Sequence, residues 1–140
     1  MSSNISKITI YANIEKVWDT LTQAEFIKLW QYGSKLQTTW EIGTGIKFIT
    51  EWEGKTFEQW GIVLEYNPPL KLRYSLFAPR PDLEDKPENY FEMIYILSKN
   101  DKKTDLEIIQ EDKRPNAVQV EEQGEENPVL LMLKEVAETN

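Results

Sequence analysis

Between Ser6 and Tyr11 ("SKITIY") the apolar Ile8 and Ile10 alternate with Lys7 and Thr9, the two-residue period of a half-buried strand. The period then lengthens. From Asn13, a residue suited to cap a helix, Ile14, Val17, Trp18 and Leu21 fall at i, i+3, i+4 and i+7 and make one apolar stripe. Thr22 stands three residues before Glu25, the spacing of a capping box, which predicts a break and a second, shorter helix with Phe26, Ile27 and Trp30 on one face. Two short helices so joined form a bent lid over the next layer. Glu15, Asp19 and Glu25 are mixed with Lys16 and Lys28, unlike the basic polar face of a helix that lies on a membrane.

From Leu36 the period returns to two. Trp40 and Ile42 precede Gly43-Thr44-Gly45, Ile46 to Trp52 alternates with Phe48 and Trp52 on one parity, and Glu53-Gly54-Lys55 can turn a hairpin. Strands are predicted over 57–66, 70–77, 90–97 and 104–112. Pro68 and Pro69 stop the first of these, because proline cannot donate within a central strand. Residues 78–89, with three prolines and four acidic residues, read as a loop, and the turn between the last two strands is "SKNDKK". Residues 113–127 are polar and acidic and read mainly as loop. Asn127 then supplies an N-cap and Pro128 the first position of a terminal helix, whose Val129 to Leu133, Val136 and Ala137 crowd most of its circumference. Such a helix belongs inside. The order is α+β, with an antiparallel meander of about six to seven strands that must curve around the terminal helix.

A chain of 140 residues, 40% apolar and 29% charged, suits one globular domain over 1–140. Its net charge of −8, with the basic residues scattered, argues against nucleic acid and against an anionic membrane surface. Met1 to Asn4 lead straight into the first alternation without a basic or apolar leader, and the longest apolar run, Val129 to Leu133, is far short of the ~20 residues that span a bilayer. With no cysteine, the expected setting is cytoplasmic. The absence of both cysteine and histidine removes disulfides, thiolate nucleophiles, Ser-His-Asp triads and the usual zinc sites. No catalytic residue, metal or cofactor is expected.

The stretches "ANIEKVWDTLTQAEFIKLW", "IGTGIKFITEWEGKTFEQWGIVLEYNPPLKLRYS", "YFEMIYIL" and "KKTDLEII" resemble, in order and spacing, the homologues of the activator of the ninety-kilodalton heat-shock protein ATPase, within the START-related (SRPBCC) helix-grip superfamily. The matching elements are Val17-Trp18 with Thr22 and Trp30, Gly45 before its strand, Gly61 with Pro68-Pro69 seven residues on, and Thr104-Asp105-Leu106. The likeness runs over roughly residues 5–110. It implies an antiparallel sheet wrapped around the last helix, with a cavity between them that often holds an apolar small molecule. One departure is that Gly124 is followed by Glu125-Glu126, not by a tryptophan, and the last helix is short.

Nine side chains are the candidate lining of such a cavity: Trp30, Trp40, Phe48, Trp52, Trp60, Tyr74, Met93, Tyr95 and Met132. Aromatic and methionine walls suit an apolar or aromatic ligand or a lipid, and tryptophan and tyrosine can each add a hydrogen bond. Aromatic residues at strand spacing also build ordinary cores. Trp60 is ambiguous, since Trp60, Ile62, Leu64 and Tyr66 share one parity and Gly61 and Val63 the other, so either face can point inward unless a bulge intervenes. Gln59, Arg73, Glu92, Glu107 and Gln110 fall within strands, on the solvent face as alternation predicts, and Glu92 and Glu107 would be the carboxylates to consider for acid–base chemistry. The expected role is non-enzymatic binding of an apolar small molecule or lipid. The alternatives are a protein-interaction module of co-chaperone type and, behind it, a cyclase- or hydrolase-type enzyme.

Overall fold

The computed structural model describes residues 2–115 and 117–139; Asn116, inside the predicted loop 113–127, lies outside them. β1 (Ser2–Ile10) begins four residues before the alternating stretch and leads into α1 (Ile14–Thr22). Asn13 caps α1 as expected, its side-chain oxygen accepting from the Lys16 amide at 2.8 Å. The break before α2 (Ala24–Trp30) falls where it was predicted but is made differently. Gln23 stands at the N-cap in extended conformation without a side-chain cap. The Thr22 hydroxyl donates instead to the Trp18 carbonyl at 2.8 Å, so no capping box forms.

The meander then runs through β2 (Lys35–Thr38), β3 (Gly45–Trp52), β4 (Lys55–Asn67), β5 (Lys71–Leu76), β6 (Phe91–Asn100) and β7 (Lys103–Asp112). Together with β1 these form a seven-stranded sheet in the order β1-β7-β6-β5-β4-β3-β2, every pair antiparallel. Glu53 and Gly54, both left-handed (φ 49° and 77°), turn β3 into β4, the geometry that matches the twist of a two-residue hairpin. The turn between β6 and β7 is tighter than "SKNDKK" suggested, with Asn100 paired to Lys103.

The first strand pairs with the last, from Ser2 opposite Asp112 to Ile10 opposite Thr104. Its outer edge is covered by the irregular segment after β7. The Lys7 amide donates to the Gln123 carbonyl at 2.9 Å and the Gln123 amide to the Ile5 carbonyl at 3.0 Å. A sheet edge is thereby closed to pairing with another chain.

α3 (Pro128–Thr139) starts where Asn127 and Pro128 indicate, the Asn127 side chain accepting from the Val129 amide at 2.9 Å. Its burial is narrower than the apolar count implied. Leu130, Leu133, Val136 and Ala137 form the buried stripe, while Leu131 and Met132 lie outward, 40% and 44% exposed. A helix packed on one side buries residues three and four apart, and two neighbours within one turn cannot all share that side. The architecture is the helix-grip α+β fold, a curved antiparallel sheet with helices across its concave face. No helix among the described residues is long and apolar enough to cross a membrane.

Candidate functional site

The concave face is built by alternation, and one irregularity decides which residues it contains. Val63, on β4, is fully buried, which sends Trp60, Ile62 and Leu64 to the convex face. The β4–β5 register shifts between Val63 and Glu65, and beyond the shift Tyr66 points inward against the core. A bulge therefore reconciles the two parities of this strand. At Gly61 the β5 backbone occupies the side-chain position, since a Cβ there would lie 1.7 Å from the Ser75 carbonyl oxygen.

Between the concave face and the end of α2 lies a cavity of about 340 Å³. Phe48 and Thr50 of β3, Gln59 of β4, Tyr74 of β5 and Met93 and Tyr95 of β6 form its floor, and Trp30 and Ser34 its roof. Tyr32 and Phe57, 75% and 52% exposed, stand at its open end. α2 contributes Trp30 and α3 Val129, while Gln31, Tyr32 and Ser34 come from the turn after α2, so the space lies beneath that turn and the end of α2 rather than along the terminal helix. The wall carries no aspartate, glutamate, lysine or arginine among the described residues.

Five of the nine candidates, Trp30, Phe48, Tyr74, Met93 and Tyr95, line this space. Trp40 stands behind it, stacked on Tyr66 with ring centroids 5.4 Å apart and 6.3 Å from the Tyr74 ring. Trp52 shares the parity of Phe48 but sits at the hairpin tip, paired with Lys55 and 66% exposed, because β3 and β4 run out past the helices. Trp60 belongs to a separate aromatic cluster outside the sheet, its ring 5.4 Å from Phe77, which in turn lies 5.4 Å from Tyr90. Asp85 of the acidic loop ties that cluster together, accepting from Trp60 Nε1 at 3.0 Å and from the Tyr90 hydroxyl at 2.6 Å. Met132 is on the outward side of α3. These four are corrections to the expected lining: Trp52 lies past the end of the covering layer, Trp60 and Met132 are on the outward sides of β4 and α3, and Trp40 packs behind the wall. Sequence reasoning missed Thr50, Phe57 and Leu76, which share parity with Phe48, Val63 and Tyr74 and could have been found from it.

The indole donors are not available to a ligand. Trp30 Nε1 donates to the Thr20 carbonyl at 2.8 Å and Trp40 Nε1 to the Thr22 carbonyl at 2.9 Å. Both carbonyls belong to the last turn of α1, where the helix supplies no partner of its own. The tryptophans thus finish a helix end and fix the lid. Ser34 Oγ donates to the Gln31 carbonyl at 2.7 Å and lies 2.7 Å from Thr50 Oγ1. Deeper in, the Tyr74 and Tyr95 hydroxyls meet at 3.3 Å and both rings are buried. Burial pushes both phenols above their ordinary value, Tyr74 well above it, helped there by the proximity of Tyr95.

The strand polar residues largely keep to the convex face. Arg73 is bonded to Glu92 through Nε at 2.8 Å and through Nη2, with Glu65 near by. Glu92 stands opposite Glu111 in the β6–β7 register, whereas Glu107 stands opposite Ile96, so the two carboxylates share no site. Gln59 and Gln110 depart from that expectation: Gln59 is turned to the cavity, and Gln110 stands opposite Met93 on the concave parity of β7, its amide near the buried Asp112 carboxylate. Among the described residues no group of three or more aspartates and glutamates is placed to hold a metal ion.

The sheet order, the concave cavity and the helix laid across it define a START-related helix-grip protein. The chain belongs to the family of Activator of Hsp90 ATPase homolog 1-like proteins, whose model matches residues 11–137. A Cytophaga hutchinsonii protein solved in solution is 33% identical, with a TM-score of 0.70 over 83% of this chain and 80% of that one. A Chromobacterium violaceum crystal structure, 18% identical, has a TM-score of 0.74 and covers 99% of both chains. An HSP90 activator from Plasmodium falciparum, 16% identical, reaches 0.64 over 84% and 76%. The last two establish the fold alone. Among curated proteins none matches the sequence.

Proposed function

We propose that this protein binds an apolar or aromatic small molecule in the cavity beneath α2, without transforming it. The observation that carries this reading is the space itself: about 340 Å³, open at Tyr32 and Phe57 and lined by Trp30, Phe48, Tyr74, Met93 and Tyr95. That volume falls in the range of ligand pockets. A non-enzymatic role is supported by the wall's chemistry. Its buried titratable groups are two phenols driven to keep their protons, and among the described residues no carboxylate or ammonium lines the space to act as base or acid. A cytoplasmic setting is part of the same proposal.

The test is a cavity-filling substitution. Met93→Trp adds bulk at a half-buried wall position and should abolish the fluorescence enhancement of a neutral naphthalene dye while the protein still melts cooperatively. Enhancement equal to that of the unsubstituted protein would remove the cavity from the site.

A second reading is a protein-interaction module acting on a chaperone, as the family's name and the Plasmodium falciparum activator suggest. The observation that favours it is a groove of about 530 Å³ on the convex face, where Ile62 and Leu64 are exposed beside Trp60 and Tyr90. Ile62→Asp with Leu64→Lys should then reduce the stimulation of a purified heat-shock ATPase. An ATPase rate unmoved by the unsubstituted chain would end this reading.

A further inference from the structure

The buried polar groups around the cavity can be accounted for one hydrogen at a time. The Trp30 indole hydrogen goes to the Thr20 carbonyl. The Ser34 hydroxyl is committed to the Gln31 carbonyl, which makes Thr50 the donor in the Ser34–Thr50 contact. The other polar side chains of the lining reach solvent, Tyr32 and Gln59 being exposed and Gln31 half-buried, so water can satisfy them. That leaves the Tyr74–Tyr95 couple. Two hydroxyls that meet once share one hydrogen between them, so the second phenolic O–H has no acceptor among the described residues.

An unspent donor in a buried apolar wall is costly unless something accepts from it. The surrounding wall specifies what that partner must be. It cannot be an anion, because no lysine or arginine among the described residues lines the space to offset desolvation of its charge. Nor can it be a cation, since no carboxylate lines the space either. Both phenols stay protonated at neutral pH, so the couple offers a hydrogen and never a negative charge.

Resting on the cavity reading above, we propose that Tyr74 and Tyr95 together select an uncharged ligand that carries a hydrogen-bond acceptor oxygen, a ketone, ester or ether, at the end of its apolar body that enters first. The couple is a specificity device: the aromatic wall holds the body, and the free phenolic hydrogen orients the oxygen. Phe48, whose ring lies 5.7 Å from that of Tyr74, packs against the same couple and holds one of its rings in place.

Three probes of nearly equal shape separate this proposal from the one it rests on: 2-acetylnaphthalene, its hydrocarbon analogue 2-isopropenylnaphthalene, and 2-naphthoate. Affinities are measured by tryptophan quenching at neutral pH for the unsubstituted protein and for the double variant Tyr74→Phe with Tyr95→Phe. The expected result is that the ketone loses about tenfold in affinity in the double variant, the worth of one buried hydrogen bond, while the hydrocarbon does not weaken. 2-Naphthoate should bind neither protein. A ketone-to-hydrocarbon ratio that is the same in both proteins would overturn the role of the couple and leave the cavity reading standing. Binding of 2-naphthoate as tight as that of the ketone would overturn the restriction to uncharged ligands. If none of the three binds the unsubstituted protein, the cavity reading falls, and this inference with it. The infrared carbonyl stretch of 2-acetylnaphthalene bound to the unsubstituted protein gives a reading that does not depend on a variant folding. It should lie below its value in hexane, and a stretch at the hexane value would equally overturn the proposal.

Discussion

Two tryptophans chosen from the sequence as ligand contacts turn out to be structural donors with one apolar face each. Trp30 is buried and binds the Thr20 carbonyl, so Trp30→Phe keeps most of the ring but leaves that carbonyl unpaired. A cost of about 1–3 kcal/mol is expected in urea unfolding, from the orphaned acceptor. The indole hydrogen bonds were not legible beforehand, because their acceptors are carbonyls that become free only when α1 stops at Thr22. Asp112 offers a second test at this scale. It is buried at the end of β7, and Arg114 binds it through Nε at 2.8 Å, Nη2 at 2.6 Å and the backbone amide at 3.1 Å. The Arg114 hydrogen bonds hold this carboxyl below the ordinary 3.8 of aspartate, outweighing desolvation. A depressed value in the folded state means that the stabilisation is complete above that ordinary value and is lost as pH falls through the lower one. Asp112→Asn should therefore cost about 2 kcal/mol at neutral pH. The gap between the two proteins in chemical denaturation should close below pH 3.8; a gap independent of pH would mean that the ion pair contributes nothing.

At the scale of the element, β4 holds the outcome. Its period alone could not say which parity faces the core, since Trp60, Ile62 and Leu64 and the set Gly61 and Val63 are equally able to. The contact between Gly61 and Ser75 resolves it from outside the strand, and the bulge after Val63 returns Tyr66 to the core. Gly61→Ala places a methyl group where the β5 backbone already is. Because neither backbone can step aside cheaply, a loss of about 3 kcal/mol or more is expected, with a lower melting temperature as the readout. Trp52 is the contrasting case. It lies beyond the last covered position of β3, so Trp52→Ala should change stability by less than about 0.5 kcal/mol and leave probe binding unaltered. The sequence correctly placed Trp52 on the parity of Phe48, but parity says nothing about where the overlying layer stops. In α3 the apolar residues outnumber the positions that one packed side can bury, which is why Leu133 is fully buried and Met132 is not. Leu133→Ala is expected to cost about 2–5 kcal/mol, as for other fully buried leucines.

For the whole molecule, the test of the cavity is mass action. A probe that occupies the space binds the folded chain and not the unfolded one, so at a hundred times its Kd it should add about 2.7 kcal/mol to stability and raise the melting temperature. Met93→Trp should remove that increment. Much of this protein could be read without coordinates. The switch from a period of two to a helical one and back determined the order of elements, Asn13, Asn127 and Pro128 marked helix starts, and Glu53-Gly54 marked a hairpin, because caps and turns are short-range chemistry written in adjacent residues. The lack of cysteine and histidine in the sequence left only other side chains from which a site could be built. Tertiary structure decided the rest. Which face of β4 is the inner one, where the lid ends over β3, and that the open space lies under the end of α2 and the turn after it rather than along α3 all depend on contacts between residues far apart in sequence. The meeting of Tyr74 and Tyr95 shows the division most clearly. Each was visible as an inward aromatic residue on its own strand, but their hydroxyls come together across the β5–β6 register, and a shared hydrogen is a property of the pair that neither position carries alone.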